Sequence, residues 1–374
     1  MLKIKQTFND KLAFPLLAVV VGFVVAAIIL ALTGYNPLEV YSILFAGMFS
    51  KPRYLVIIIL KAAPIILTGV SVAFALKVGL FNIGAEGQFL TGSVFATIFG
   101  LTFDFPALIQ FPLVLLAGVC GGALYGALAG YLKAKRGINE VITGIMLNWT
   151  DFYFSNWITS LEKFREAGTT STYILNKGGL DPIFNWKMSE SGRSILANNS
   201  FLNEIIGRTN INVAIIFAVV VAIVISYLLN HTTKGYELRA VGLNAHAAKA
   251  SGINVSQNTI LTLAISGAIA GLAGALLVSG DSQRLHELMA LENYGFNGLS
   301  VALMAGGSPI GSILSGLLFA GLSYGGSAIQ LKIGAPSEII DILIGTIVFF
   351  MALVTLLPLL KEKLKRKGTD ENVG

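Results

Sequence analysis

The chain has one cysteine, three histidines and few charged residues, and each shortage excludes a class of function. Cys120 stands alone in an apolar run, so the chain offers neither a disulfide framework nor a thiolate metal site. The three histidines, His231, His246 and His286, are too scattered to predict a metal cluster. Charged residues make up 12% of the chain, about half of the usual quarter. With 55% apolar residues, this composition indicates a membrane protein.

Motifs for ATP hydrolysis and for hydrolase chemistry are missing as well. The sequence contains no G-x-x-x-x-G-K-[ST] loop, so the chain cannot hydrolyse ATP by that route. It also contains no recognisable Ser/His/Asp arrangement and no H-E-x-x-H motif. The sequence therefore predicts a protein that is not an enzyme, with no catalytic residues, no metal site and no cofactor.

Ten apolar segments are long enough, or nearly so, to cross a membrane as helices, which takes roughly 20 residues. They lie at about 12–33, 54–76, 80–100, 107–131, 138–160, 211–230, 257–279, 292–306, 310–330 and 337–358. The first is too long for a signal peptide and is interpreted as a retained helix. Glycines interrupt the third and eighth, so broken helices are expected there. The prediction is an all-α polytopic membrane protein, one transmembrane domain over residues 1–374 with about ten helices.

Lysine and arginine are distributed unevenly between the two predicted sides of the membrane. With the N-terminus inside, fifteen lie in the inside segments and the C-terminal tail, whereas the short outside loops hold only four. Both termini are therefore predicted to be cytoplasmic. Residues 161–210 then form an extracytoplasmic insertion between helices five and six. The net charge of +6 is explained as an orientation signal, and no nucleic-acid partner is predicted.

Glycines recur every four residues in the fourth predicted span and again in the seventh. Small residues on one stripe of a helix let two backbones approach closely, which is the main attraction between helices in lipid. The pattern predicts a packing stripe, with a glycine-lined pore as the alternative. The residues concerned are Gly118, Gly122, Gly126 and Gly130, together with Gly267 and Gly271.

Polar side chains break the apolar pattern in "GLFNIGAEGQFLTG", from Gly79 to Gly92. Asn82, Glu86 and Gln88 lie within seven residues of one another, and an unpaired polar group at membrane depth costs several kcal/mol. Such residues are candidates for a transport path by default, and interrupted helices form many transporter sites. The alternative is that Asn82 and Glu86 cap and cross-link helices away from any ligand.

A second polar pair lies in the fifth predicted span. Asn148 and Asp151 are three residues apart, so they share one face of a helix. A stripe of aromatic residues runs beside them, formed by Trp149, Tyr153 and Trp157. The pair and the stripe predict either a binding face for a small polar ring or, for the aromatics, an interfacial belt.

The segment 232–257, "TTKGYELRAVGLNAHAAKASGINVSQ", is polar and is predicted to be cytoplasmic. It is interpreted as two short helices that are broken by Gly242 and ended by Gly252. The segment is larger and more regular than a connector needs to be. It therefore predicts a docking surface for a cytoplasmic protein, with a solvated loop as the alternative.

Three stretches resemble the permease subunits of ABC importers for nucleosides: "APIILTGVSVAFALKVGLFNIGAEGQFLTG", "INEVITGIMLNW" and "GYELRAVGLNAHAAKASGI". The resemblance runs from about Ala63 to Pro358 and extends to ribose and branched-chain amino-acid permeases. It implies the type II importer permease fold, a cytoplasmic ABC ATPase, a second, shorter permease and an extracytoplasmic lipoprotein binding protein. It also implies that 232–257 is the ATPase coupling segment, with Gly235, Glu237, Arg239, Gly242, Asn244 and Gly252 as its key positions.

The function expected from these observations is ATP-driven uptake of a small polar ligand, a nucleoside. The residues expected along the substrate path are Asn82, Glu86, Gln88, Asn148 and Asp151. Three alternatives remain: a simple-sugar, ribose-like ABC permease, an ion-coupled secondary transporter in which buried Glu86 or Asp151 is the coupling site, and a channel or scaffold.

Overall fold

The computed structural model describes residues 18–175, 184–280 and 282–370, and all the named elements in those ranges are helices. Residues 12–17, at the start of the first predicted membrane segment, lie outside the described ranges. A π-helical turn, Asn203–Gly207, follows α9. The helices are α1 Ala18–Leu32, α2 Pro37–Phe49, α3 Pro52–Lys77, α4 Ala85–Thr102, α5 Ala107–Arg136, α6 Glu140–Ser160, α7 Phe184–Met188, α8 Glu190–Asn198, α9 Ser200–Leu202, α10 Ala214–His231, α11 Thr233–Leu243, α12 Ala245–Ala250, α13 Val255–Gly280, α14 Tyr294–Met304, α15 Gly311–Ile333 and α16 Ser337–Asp370.

Each of the ten predicted segments coincides with a helix, but not every helix can span a membrane alone. Five helices in the described part of the chain are long and apolar enough to do so: α3, α5, α10, α13 and α15. By contrast, α14 has 11 residues, roughly 16 Å of helix against a hydrocarbon core of about 30 Å. The named elements of the described part of the chain are thus all helical, five of them are long and apolar enough to cross a membrane, and the count of about ten spans remains a prediction.

Contacts divide the described residues into two compact units, Lys51–Ala320 and the residues on either side of that range. In the flanking unit, α1 lies against α16, because an ideal Cβ on Gly22 would be 2.9 Å from the Cα of Ile347. Tyr41 of α2 donates a hydrogen bond of 2.5 Å to the carbonyl oxygen of Phe23. All the candidate site residues belong to the unit Lys51–Ala320.

The centre of Lys51–Ala320 is formed by α4, α5 and α13, which approach one another through glycine. An ideal Cβ on Gly122 would lie 2.2 Å from the carbonyl oxygen of Gly267. One on Gly92 would lie 2.3 Å from the Cα of Gly271. Comparable close approaches to α13 are made by Gly118, Gly126 and Gly130. The predicted packing stripe is therefore confirmed, because these glycines contact helix backbone.

Loops that the charge pattern assigns to one side contact one another. At the predicted outer side, Arg284 forms an ion pair of 2.8 Å with Glu166, and Arg53 lies 3.6 Å from Glu204. Backbone hydrogen bonds also join residues 170–175 to 283–287. At the predicted inner side, Ser256 donates to the carbonyl oxygen of Ala134 at 3.4 Å. The fold thus brings together loops of the same predicted side, while the orientation itself stays a prediction.

Candidate functional site

The stretch from Gly79 to Gly92 is divided between a connector and a helix. The connector, residues 78–84, follows α3, and α4 then begins at Ala85 with Gly84 as its N-cap residue. The expected break in the third span lies at its start: residues 80–84 are not helical, whereas Gly87 and Gly92 lie within a continuous helix. The interruption is confined to the connector that precedes α4. It places Asn82 in the connector and both Glu86 and Gln88 in the first turn of α4.

Glu86 links the start of α4 to the start of α14. Its side chain is fully buried, at 0% exposure. One carboxylate oxygen accepts from the N–H of Asn293 at 2.8 Å, and the other accepts from the N–H of Gly295 at 2.5 Å. A helix N-terminus favours an anion, since its first N–H groups lack partners within the helix. These contacts are those that the cross-link interpretation requires.

Asn82 and Gln88 belong to a buried hydrogen-bond network that reaches α13 and α3. The Asn82 Nδ2 donates to Gln88 Oε1 and to Ser266 Oγ, both at 2.7 Å. Ser266 Oγ in turn donates to the carbonyl oxygen of Ser71 at 2.8 Å. Because each of these polar groups has a partner, the network lowers the cost of burying them in an apolar helix bundle.

Asn148 of α6 joins the same region. Its Oδ1 accepts from the N–H of Gly87 at 2.8 Å, which satisfies one of the free N–H groups in the first turn of α4. Its Nδ2 donates to the carbonyl oxygen of Ile83 at 3.1 Å. The two polar stretches that the sequence analysis treated separately therefore meet at the N-terminus of α4.

Asp151 lies almost one turn further along α6 and is equally buried, at 1% exposure. Its carboxylate contacts Thr91 of α4, but Oδ2 has no hydrogen-bond partner among the residues that the structure describes. Ser155, one turn later on the same helix face, is fully buried and its Oγ also lacks a partner there. Buried polar atoms without partners are rare and call for an explanation.

The aromatic stripe of α6 lies on a different face from the polar pair. Trp149, Tyr153 and Trp157 are 48%, 66% and 57% exposed, whereas Asn148 and Asp151 are buried. A joint face for binding a polar ring is therefore not formed within this chain. The exposure of the three aromatic residues favours their interpretation as an interfacial belt.

Sequence analysis missed the hydroxyl groups that complete this region: Ser71, Thr91, Ser155 and Ser266. A serine or threonine in an apolar helix commonly bonds the carbonyl one turn earlier in its own helix, as Thr91 does with Gly87 at 2.8 Å. The sequence gives no signal that distinguishes such a hydroxyl from one that links two helices. Only the packing of α3 against α13 identifies Ser71 and Ser266 as partners.

Segment 232–257, the predicted coupling segment, forms two helices, α11 and α12, but they are divided at Asn244. The predicted break at Gly242 is wrong, since that residue lies in the last turn of α11. Asn244 is the N-cap of α12, because its side chain accepts hydrogen bonds from the N–H groups of His246 and Ala247 at 3.0 Å. Gly252 follows α12 with a φ of +82°, and its left-handed conformation confirms the predicted end of that helix.

Two glycines of α11 let its backbone contact neighbouring elements. An ideal Cβ on Gly235 would lie 2.0 Å from the carbonyl oxygen of Leu228 in α10. One on Gly242 would lie 2.3 Å from the carbonyl oxygen of Val78 in the connector before α4. The coupling segment is thus in direct contact with the stretch that carries Asn82.

The charged side chains of α11 have different surroundings. Glu237 pairs with Lys234 at 2.8 Å, and this hydrogen bond holds the pKa of the Glu237 carboxyl below its usual range. Arg239 is partly buried, and its Nε has no hydrogen-bond partner within the described ranges. On the outer surface, Tyr236 is 65% exposed and Leu243 is 88% exposed.

A groove of about 540 Å³ runs between α11 and α12. Its walls combine exposed apolar side chains with a carboxylate and an amide, a composition suited to contact with another protein. The lining residues include Tyr236, Glu237, Leu243, Asn244, Ala247 and Ile253.

Comparison with known families decides the class of this chain. Residues 54–352 match the family described as "Branched-chain amino acid transport system / permease component". The chain belongs to this permease family. It is consequently a multi-pass membrane protein, and the family does not favour the ion-coupled alternative.

Several curated relatives resemble this permease over most of its length. The guanosine ABC transporter permease protein NupP of Bacillus subtilis is 36% identical over 359 residues, which cover 96% of this chain and 98% of NupP. The nucleoside ABC transporter permease protein NupB of Lactococcus lactis is 34% identical, with 96% of each chain covered. The glucose ABC transporter permease protein TsgB13 of Haloferax volcanii is 27% identical, with 90% of this chain and 86% of TsgB13 covered. No solved structure matches this permease.

Proposed function

We propose that this chain is the permease subunit of an ATP-driven type II ABC importer that carries a nucleoside into the cell. The observation that carries this proposal is its similarity, over 96% of its length, to a guanosine permease and a nucleoside permease. The glucose permease is less similar, at 27% identity, and does not favour a sugar as the ligand. The proposed ligand is therefore a nucleoside.

ATP is hydrolysed by a separate cytoplasmic ABC ATPase that docks on α11 and α12. The groove between these helices and the exposed Tyr236 and Leu243 support this docking site. Gly235 and Gly242 hold α11 against α10 and the connector, and Asn244 and Gly252 begin and end α12. Glu237 and Arg239 supply charge at the contact.

The other partners are a second, shorter permease and an extracytoplasmic lipoprotein binding protein. The loops predicted to lie outside are joined to one another by the ion pair between Arg284 and Glu166 and by backbone hydrogen bonds. A folded surface of this kind suits the seating of a binding protein. The predicted insertion, residues 161–210, contributes to it through 161–175 and 184–210, and both termini are cytoplasmic in the bacterial plasma membrane.

The substrate path passes beside the N-terminus of α4, where the five predicted residues meet. Asn82, Glu86, Gln88, Asn148 and Asp151 are each at most 3% exposed. Four of them make the hydrogen bonds described above, whereas Asp151 retains an oxygen without a donor. Because nucleosides carry hydroxyl and amino donors, a buried acceptor at Asp151 is suited to contact them as they pass.

Uptake by intact cells tests this function. A deletion strain is complemented with the gene, and uptake of labelled guanosine is measured with competing nucleosides or with glucose and ribose. We expect unlabelled nucleosides to compete, sugars not to compete, and depletion of cellular ATP to abolish accumulation. Accumulation that survives ATP depletion, or that sugars block and nucleosides do not, would contradict the proposal.

A further inference from the structure

The last turn of α11 lies directly against the connector between α3 and α4, with no side chain between the two backbones. The ideal Cβ on Gly242 is 2.3 Å from the carbonyl oxygen of Val78, and real Cβ atoms essentially never come within 3.0 Å of a neighbour. An ideal Cβ on Gly79 would in turn lie 2.9 Å from the Cα of Gly242. Gly79 also has a φ of +75°, which favours glycine. Any larger residue at position 242 would therefore push the helix and the connector apart.

The opposite end of α11 is held in a similar way. There, the ideal Cβ on Gly235 is 2.0 Å from the carbonyl oxygen of Leu228. Gly235 and Gly242 are roughly 10 Å apart along the helix. Backbone contacts backbone at both ends of α11, so no side chain separates the helix from its neighbours at Gly235 and Gly242. Close-packed contacts of this kind transmit strain.

The connector is joined in turn to three helices, α4, α6 and α13. Asn82 donates to Gln88 of α4 and to Ser266 of α13. The carbonyl oxygen of Ile83 accepts from Asn148 of α6. An ideal Cβ on Gly144 of α6 would lie 2.7 Å from the backbone nitrogen of Gly84. A displacement of the connector therefore moves the N-terminus of α4 relative to α6 and α13.

We propose that the contact between Gly242 and Gly79 is the point at which movement of α11 displaces the connector and the N-terminus of α4. This inference rests on the proposed function, because it takes the ATPase to dock on α11. Gly242 is a positioning residue: it touches no ligand and acts through the connector that carries Asn82. The contact determines how much transport results from each ATP hydrolysed, and not how fast ATP is hydrolysed.

The complete complex, with its ATPase, second permease and binding protein, tests the inference in proteoliposomes. With Gly242→Ala, we expect the amount of guanosine taken up per ATP hydrolysed to fall at least about tenfold relative to wild type. Gly345→Ala is the matched control and should transport normally, because its ideal Cβ has no atom of another packed element within 4 Å in the described part of the chain. Unchanged uptake per ATP in Gly242→Ala would overturn the inference.

A second measurement leaves Gly79 and Gly242 in place and tests whether the connector moves, even if the Gly242→Ala complex does not assemble. Phe81 is a partly buried residue of the connector. The variant Phe81→Cys is combined with Cys120→Ala, which removes the native cysteine, and is labelled with a maleimide. When the ATPase is trapped with vanadate, the rate at which the cysteine at position 81 is labelled should change at least about threefold, because the connector moves. The exposed Lys135→Cys at the end of α5 should label at a constant rate.

The outcomes separate the inference from the function on which it rests. If the wild-type complex shows no ATP-dependent uptake, the proposed function fails. If the wild-type complex takes up guanosine but the labelling rate of Phe81→Cys is the same with and without vanadate, only the inference fails.

Discussion

The carboxylate of Glu86 accepts the backbone N–H of Gly295, 209 positions later in the chain, at 2.5 Å. The second carboxylate oxygen accepts the N–H of Asn293, so one side chain joins the start of α4 to the start of α14. An ideal Cβ on Gly295 would lie 2.2 Å from the backbone nitrogen of Glu86, which shows how closely the two helix ends approach. This junction holds the candidate path together, and it also makes the role of Glu86 testable.

Glu86→Gln is expected to weaken this junction and to reduce transport. A glutamine side chain has one acceptor oxygen, so one of the two N–H groups loses its acceptor at a cost of about 1–3 kcal/mol. We expect a lower unfolding temperature and, per folded complex, an uptake rate about tenfold below wild type. Glu39→Gln, an exposed acid in the first turn of α2, is the control. Normal uptake per folded complex with reduced stability would assign Glu86 to structure alone.

Asp151→Asn is expected to separate stability from transport. Because Oδ2 of Asp151 has no hydrogen-bond donor in the described part of the chain, removal of its charge should not lower the unfolding temperature. Guanosine uptake should nevertheless fall about tenfold if this oxygen contacts the ligand. The control is Asp341→Asn, at an exposed position on α16. A destabilised Asp151→Asn protein with normal uptake would contradict a place on the path.

Leu243→Glu is expected to weaken the binding of the ATPase without unfolding the permease. The side chain is 88% exposed at the groove between α11 and α12, so a charge there disturbs a contact and not the core. We expect co-purification of the ATPase to fall at least about tenfold. Met289→Glu, on a fully exposed residue at the predicted outer side, should retain the ATPase. Equal retention of the ATPase by both variants would place docking elsewhere.

The orientation is testable with two exposed positions and an impermeant thiol reagent. In a Cys120→Ala background, Met289→Cys should react in intact cells, whereas His246→Cys should react only after permeabilisation. Both positions are exposed in the fold, so burial does not account for a difference in labelling. Labelling of His246→Cys and not of Met289→Cys in intact cells would reverse the predicted orientation.

Much of the helical framework could be predicted because long apolar runs and their lysine-rich ends specify membrane helices directly. The helix α2 was missed, since its 13 residues lie between two predicted spans and carry no strong periodic pattern. The division of the coupling segment was assigned to Gly242 because glycine is a weak helix former. In the fold, that glycine is needed for the contact with Val78, and Asn244 divides the helices.

The candidate site could be predicted only in part. Polar residues in apolar surroundings identified Asn82, Glu86, Gln88, Asn148 and Asp151 as unusual. Their hydrogen-bond partners could not be predicted. Gly295 and Ser266 are distant in sequence, and nothing in the local pattern distinguishes them from the other glycines and serines. Hydrogen bonds between such distant positions depend on how α4, α13 and α14 pack, which local pattern does not specify.

ATP-driven nucleoside transport by the reconstituted complex tests the central claim most directly. Proteoliposomes containing this permease, its ATPase, the second permease and the binding protein are supplied with labelled guanosine. ATP is enclosed in the vesicle lumen, where it reaches the complexes whose ATPase faces inward. A non-hydrolysable analogue replaces ATP in the matched sample. The account predicts guanosine accumulation with ATP and none with the analogue. Equal accumulation in both samples, or accumulation of glucose in preference to guanosine, would contradict it.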